Sequence, residues 1–299
     1  MKFTILGATG QIGSQITQSL LDLGHDVRAV SRSQESLESI LSKGAEPFVS
    51  HLDDSQKLTE AFSDVDGAFT LIPPDLSAPN VREFMRQTSK AQASAIKNSG
   101  INRVAILSSI GAHISDNDSH ISGHYEHEQR LATLTDVDLH IFRPDYFMEN
   151  VLFSAGTIQN MNFWSSPIKA DLPLNMTATK DIAANVVSAL IGEQEPGVKE
   201  LLGHESMTCQ EATTIMADTL NIPNLKYVES TYEDTKNAII QYRGASENYT
   251  DDLINMYKAY NEGILVPEHS RSVSNTTPTS FRDFTESSLA FFKNIIISL

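Results

Sequence analysis

The chain has 299 residues, with 22 lysines and arginines against 38 aspartates and glutamates, a formal charge of −16. Apolar residues make up 40% and charged ones 20%, the balance of a folded globular chain rather than a disordered one. So acidic a chain has no general attraction for a phosphate backbone or an anionic lipid surface, which sets direct nucleic-acid and membrane partners aside. The single cysteine, Cys209, leaves no internal disulfide and reads as a structural thiol at a helix start, in keeping with a reducing compartment. Met1 to Gly7 lacks the apolar core of a signal peptide, and no run approaches the ~20 residues of a membrane span. The late run Ile295 to Leu299 is far too short for one, so a cytoplasmic location is expected.

In chain order, short apolar runs alternate with helix-period segments. Phe3 to Leu6 reads as a buried strand; Ile12, Ile16, Leu20 and Leu23 then recur at helical spacing up to Gly24. Val27 to Val30 is a second strand, followed by a helix stripe through Leu37 and Ile40 that ends near Gly44. Pro47 to Ser50, Gly67 to Ile72, Arg103 to Leu107 and Leu139 to Phe142 are further strands. Between them lie helices at Leu58 to Phe62 and Val81 to Lys97. This alternation predicts an α/β, doubly wound Rossmann-type parallel sheet over residues 1–150, covered by helices on both faces. After residue 150 the rhythm changes. Asn160 to Asn175 looks irregular, Thr208-x-x-Glu211 has the capping-box form, and helices are expected near Ile182 to Leu190, Asp251 to Tyr260 and from Thr277-Pro278 onward. Residues 151–299 are therefore expected to form a smaller, mostly helical substrate or lid unit, with 178–192 packing back on the first domain.

Gly7-Ala8-Thr9-Gly10-Gln11-Ile12-Gly13 lies between the first strand and the first helix. Gly7 permits the tight turn, Gly10 lets the backbone approach a pyrophosphate, and Gly13 brings the helix close to the sheet. Free N–H groups and the positive dipole end of the helix face the phosphates. Gly7, Thr9, Gly10, Gln11, Ile12 and Gly13 are thus candidate cofactor contacts. The end of the second strand reads Ser31-Arg32-Ser33, with a guanidinium where an NAD site usually has a carboxylate. Arginine clasps a 2′-phosphate, so NADP(H) is expected over NAD(H), with Arg32 as the contact and Arg28 as the runner-up. Leu52 and Asp53 after the third strand would flank the adenine, and Leu71, Ile72 and Pro73 after the fourth would line the ribose.

These residues, together with His124-Tyr125-Glu126-His127-Glu128 and Phe142-Arg143-Pro144-Asp145-Tyr146-Phe147-Met148-Glu149-Asn150, resemble the NmrA-like branch of the atypical short-chain dehydrogenase/reductases. Thr179-Lys180-Asp181-Ile182-Ala183 and Thr277-Pro278-Thr279-Ser280-Phe281 are lesser echoes, so the resemblance runs along nearly the whole chain. The enzymatic analogue it suggests is the NADPH-dependent quinone oxidoreductase group. Typical short-chain dehydrogenases use Tyr-x-x-x-Lys. Here the helix reads His124-x-x-x-Glu128, or Tyr125-x-x-x-Gln129 one position on, and neither register supplies a cation to activate a tyrosine. The resemblance makes Ser108 or Ser109 the counterpart of the helper serine. It leaves His124, Tyr125 and Ser109 as catalytic candidates, Ser108, Pro144, Tyr146 and Phe147 beside the cofactor, and Glu128 as a structural hydrogen-bond partner.

Quinone reduction demands little of a proton donor, because hydride transfer leaves a stabilised hydroquinone anion. The protein then supplies orientation and a dry apolar wall. His124, Tyr146, Phe147, Phe153 and Trp164 are the candidate substrate pocket. The histidines at 113, 120, 124 and 127 include a pair at metal-compatible spacing, beside an Asp116-Asn117-Asp118 stretch that looks like an exposed loop. The family motif explains His124 and Glu128 without a metal, and none is expected. The leading reading is an NADPH-dependent oxidoreductase acting on a quinone-like or conjugated electrophile, working as a monomer or homodimer. The alternative is a non-catalytic NAD(P)(H) redox sensor that regulates a protein partner.

Overall fold

In the computed structural model, which describes residues 1–115 and 117–295, the apolar runs of the first half become adjacent strands of one sheet. Asp116 of the expected loop and Ile296–Leu299 lie outside the described residues. The strands are β1 (Lys2–Leu6), β2 (Asp26–Ser31), β3 (Glu46–Val49), β4 (Gly67–Leu71), β5 (Arg103–Leu107) and β6 (Asp138–Pro144), joined beyond the sixth by β8 (Gly197–Leu201). Their order is β3-β2-β1-β4-β5-β6-β8, and every pairing is parallel. This is a Rossmann-type sheet whose order reverses between β1 and β4, so a crevice opens there at the carboxyl ends of the strands.

Both sheet faces are covered, which is why the strands are apolar throughout rather than alternating. Phe3, Ile5, Phe69 and Ala105 face α1 (Gln11–Asp22) and α7 (Thr179–Leu190), which supply Ile16, Leu20, Ile182 and Val186. Leu6, Val30, Ala68 and Val104 face α3 (Ser55–Phe62), α4 (Val81–Ser99) and α5 (Ile121–Leu131), which supply Leu58, Phe62, Ile96 and Leu131. The helix α2 (Gln34–Leu41) follows β2 and buries Leu37 and Ile40. Helix α7 lies against the sheet and packs along α1.

A separate core gathers the later elements around Trp164, Phe281 and Phe292. These later elements are a 3-10 turn (Met148–Ser154), α6 (Ala155–Met161), β7 (Phe163–Ser166), α8 (Cys209–Thr219), β9 (Lys226–Glu229), α10 (Glu247–Asn261), α11 (Phe281–Ser287) and α12 (Leu289–Ile295), with α9 (Tyr232–Arg243) packed on α10 outside the core. The region expected to be irregular thus contains a strand, because β7 finds a parallel partner in β9. The seventh strand of the main sheet comes from beyond residue 151. It is an edge strand with Val198 half exposed, so it lacks the all-apolar signature of its neighbours. Helix α9 buries no residue, which is why it shows no apolar stripe; Thr231 caps its start and Gly244 its end. The terminal helix is two, broken at Ser288. Cys209 is fully buried as the first residue of α8, and burial pushes its thiol up to about 11. The Thr208 and Glu211 capping box closes as its spacing predicts.

Candidate functional site

The glycine loop sits at the point where the strand order reverses. Gly7 has a φ of 62°, and its amide-to-Gly10 turn closes with Gly10 N donating to Gly7 O at 2.9 Å. A Cβ on Gly13 would stand 2.2 Å from Gly7 O, so only glycine lets α1 approach the turn. At Gly10 a Cβ would meet only Gly7 O, at 3.3 Å, and would project into the exposed cradle. Gly10 caps α1 with no side-chain hydrogen bond, and no acid lies in the first turn. The first N–H groups of α1 therefore lack intrahelical acceptors and face outward with the positive end of the helix dipole. Thr9 and Gln11 are exposed beside them, whereas Ile12 buries its side chain and offers only its backbone. These features fit a dinucleotide pyrophosphate.

The end of β2 closes the adenosine side. Thr9 Oγ1 lies 3.5 Å from Ser31 Oγ, which shares a 2.6 Å hydrogen bond with Ser36 at the start of α2. Arg32 is exposed next to them, and no hydrogen bond or ion pair to it occurs among the described residues. Arg28, the runner-up, is occupied elsewhere. It donates to Glu46 at 3.0 Å and to the carbonyls of Ala61 and Ser63 at 2.8 and 3.1 Å, holding β2 to β3 and to the end of α3. Leu52, exposed Asp53, Leu71, Ile72 and half-buried Pro73 all follow the carboxyl ends of β3 and β4, on the same edge as the glycine loop. Leu71 packs under Gly7, and Gln92 of α4 donates to its carbonyl at 2.8 Å.

The motif residues after β5 and β6 build a buried ionic brace. Glu128 receives Arg143 Nε at 3.0 Å and Nη2 at 2.6 Å, a two-point pair, and Ser108 donates its hydroxyl to the same carboxylate. Ser108 is therefore tied to Glu128, while Ser109 next to it is half exposed. Arg143 reaches on to Glu268 at 2.8 Å, so β5, α5, β6 and the late segment share one network. Asp145 accepts from Tyr260 Oη at 2.8 Å and from Asn175; burial pushes its carboxyl up while these donors pull it down. Glu149 accepts from Thr179 at 2.6 Å, and Asp181 from Thr279 at 2.7 Å. The second motif thus stitches the sheet to the C-terminal helices.

On α5, His124 is half buried with its Nδ1 enclosed and without a hydrogen bond among the described residues. Burial above all, then the charges of His120 and His127, push its pKa down to about 3. It is a neutral imidazole at pH 7 and can offer an N–H or a lone pair, but not an imidazolium proton. His127 lies on the interior side of α5, with Nδ1 2.8 Å from Ser89 Oγ. His120 meets Asp252 of α10 at 3.2 Å and stacks edge-on against His124 at 6.5 Å. Asp252 carries no sequence signal; only the packing of α10 brings it here. Tyr125 is half buried at the next position of α5.

The aromatic residues divide. Trp164 is 1% exposed and packs edge-on against Tyr227 at 5.0 Å, and Tyr146 is buried against Tyr260 at 6.5 Å. Both belong to the C-terminal core and not to an open pocket wall, because β7 and the turn after β6 point them inward. Phe147 is half buried beside the sheet's α1/α7 face. Phe153 is 65% exposed, with the Arg243 guanidinium 4.4 Å from its ring centroid. A cavity of about 620 Å3 lies away from this edge, over β8, lined by His140, Lys199, Glu200 and His269. No carboxyl-edge motif residue except Phe142 reaches it.

The seven-stranded parallel sheet and the glycine loop define a Rossmann-type α/β protein. The chain belongs to the NmrA-like family, whose model matches residues 1–286. Among solved structures it is similar to the Escherichia coli NADPH-dependent quinone oxidoreductase QOR2 in complex with NADPH. The TM-score is 0.78 and the identity 20%, over 95% of this chain and 99% of that one. It is likewise similar to Citrobacter sp. triphenylmethane reductase (TM-score 0.79, 16% identity, 97% and 100% covered) and to a nucleoside-diphosphate-sugar epimerase of Staphylococcus aureus (0.78, 20%, 96% and 100%). An uncharacterized protein of Schizosaccharomyces pombe is 34% identical over 67 residues. The match spans 22% of this chain and 23% of that protein. No described helix is long and apolar enough to cross a membrane.

Proposed function

We propose that the protein binds NADP(H) and acts as an oxidoreductase on a quinone-like or other conjugated electrophile. The observation that carries the reading is the glycine loop at the strand-order reversal, where Gly10 leaves an open cradle before an uncapped helix start. The names of the similar structures, a quinone oxidoreductase and a dye reductase that both appear with a nicotinamide cofactor, support it. In this reading Gly7, Gly10, Gly13 and the first amides of α1 hold the pyrophosphate, Arg32 faces the 2′-phosphate, and Leu71, Ile72 and Pro73 flank the ribose. The cofactor would supply a hydride. The chain positions the acceptor and excludes water, and a proton from solvent completes the hydroquinone, so no strong acid is needed. His124, neutral and enclosed at Nδ1, suits a hydrogen-bond contact to the acceptor rather than proton donation. Nothing in the comparisons favours the regulatory reading.

NADPH consumption at 340 nm with a panel of small quinones tests this, with Gly10→Val as the blank. Protein-dependent oxidation that the variant lacks is expected. No oxidation by a protein that still binds NADPH would overturn the reductase reading.

A further inference from the structure

Arg243 ends α9, directly before Gly244, whose φ of 62° turns the chain toward α10. Its guanidinium covers one face of Phe153, a phenyl left 65% exposed by the turn that follows β6. Two helical turns earlier, Lys236 pairs with Asp251. Arg243 has no carboxylate at ion-pair distance among the described residues, in a chain with 38 acids. A cation–π contact uses none of a guanidinium's N–H donors as hydrogen bonds, and its N–H edges fit a carboxylate or sulfonate at two points.

The surroundings connect this pair to the candidate site. The charge of Arg243 reaches the Tyr249 and Tyr257 hydroxyls of α10 and opposes the upward push of burial on both. Tyr249 packs against a small cluster of Ile72, Ala78, Val81 and Met85, built by the segment that leaves β4 and the start of α4. Asp252, one turn along α10, lies 3.2 Å from His120, whose ring meets that of His124. Helix α10 thus packs against α9, which ends in Arg243, and meets α5, which carries the His124-x-x-x-Glu128 motif, through His120, and we read these residues together as one rim.

We propose that Arg243 and Phe153 select the substrate: an aromatic electrophile bearing an anionic substituent, its ring against Phe153 and its acid on the free edge of the guanidinium. The proposal rests on the reading of this rim as the place where the electrophile meets the cofactor. In a molecule of net charge −16, such a cation offsets the repulsion that an acidic substrate would otherwise meet on approach.

The test separates the two claims. Naphthalene-2-sulfonate and naphthalene-2-methanol accept no hydride, so their binding reports the rim alone. By calorimetry the sulfonate is expected to bind about tenfold more tightly than the alcohol, a charge-assisted hydrogen bond's worth. That preference should shrink at high salt, vanish in Arg243→Gln and return in part in Arg243→Lys, while NADPH affinity stays unchanged. Equal affinities, or a preference that survives Arg243→Gln, would overturn the proposal. NADPH oxidation with 1,4-naphthoquinone and its 2-sulfonate is the second arm. Turnover of both at equal kcat/KM overturns the selection by Arg243. Turnover of neither, with the binding preference intact, overturns the reductase reading and leaves the anionic-aromatic site standing.

Discussion

Arg32 shows how a residue can be read from its place in the chain alone. Its position after the second strand puts it at the carboxyl edge, and the structure leaves its side chain exposed beside Ser31 and the glycine loop. Arg28, three positions before Ser31, was the runner-up, yet its side chain faces Glu46 and the end of α3. The expected outcome for Arg32→Asp is a loss of NADPH affinity of about ten- to a hundredfold with NADH affinity nearly unchanged, measured by fluorescence titration. Equal losses for both would remove Arg32 from the 2′-phosphate. His127 is a residue whose role only burial reveals. It is fully enclosed, and burial first, with the Arg130 charge second, pushes its pKa down to about 3. The unfolded chain takes up this proton near pH 6.5 and the native one does not. The stability it supports is therefore present above pH 6.5 and is lost as pH falls toward 3, by about 1.4 kcal/mol per pH unit. Urea unfolding of His127→Gln between about pH 6 and 4 should show a slope shallower by about one proton. An unchanged slope would mean that His127 is protonated in the native state.

At the scale of elements, the glycine loop joins local chemistry to packing. The sequence gives Gly10 and Gly13 different tasks within one spacing, an open approach and a close helix contact, and the structure shows what a Cβ would meet at each. The Cβ that Gly13 forbids would strike the Gly7 carbonyl, which is backbone and cannot swing aside. Gly13→Ala is expected to destabilise the fold by about 3 kcal/mol in urea unfolding. Gly10→Val, at an allowed φ of −81°, should fold with a change under about 1 kcal/mol while abolishing dinucleotide binding. Equal stability of the two variants would show that α1 does not need its close approach. The elements legible in the sequence were those whose signal is local: apolar runs for β1 to β6, the stripe of α1, the capping box of α8. The elements that escaped, β7, β8, β9 and α9, draw their structure from partners far along the chain or from exposed faces, where periodicity fades.

For the whole molecule, the two motifs after β5 and β6 are structural joints. Glu128, Arg143 and Ser108 tie three strands and helices of the sheet together, and Asp145, Glu149 and Asp181 fasten the C-terminal helices to it. The Asp145–Tyr260 bond fastens the end of α10 to the turn after β6, the joint on which the proposed substrate rim depends. The amino-acid sequence by itself determined the parallel sheet, the glycine loop and the family, because each is written in residues adjacent in the chain. Only the tertiary structure decided that Trp164 and Tyr146 are core, that Arg28 is a brace, that Ser108 serves Glu128, that Arg243 covers Phe153 and that Asp252 meets His120. Those assignments depend on which side chains meet across long stretches of chain, and burial, not spacing, sets who meets whom.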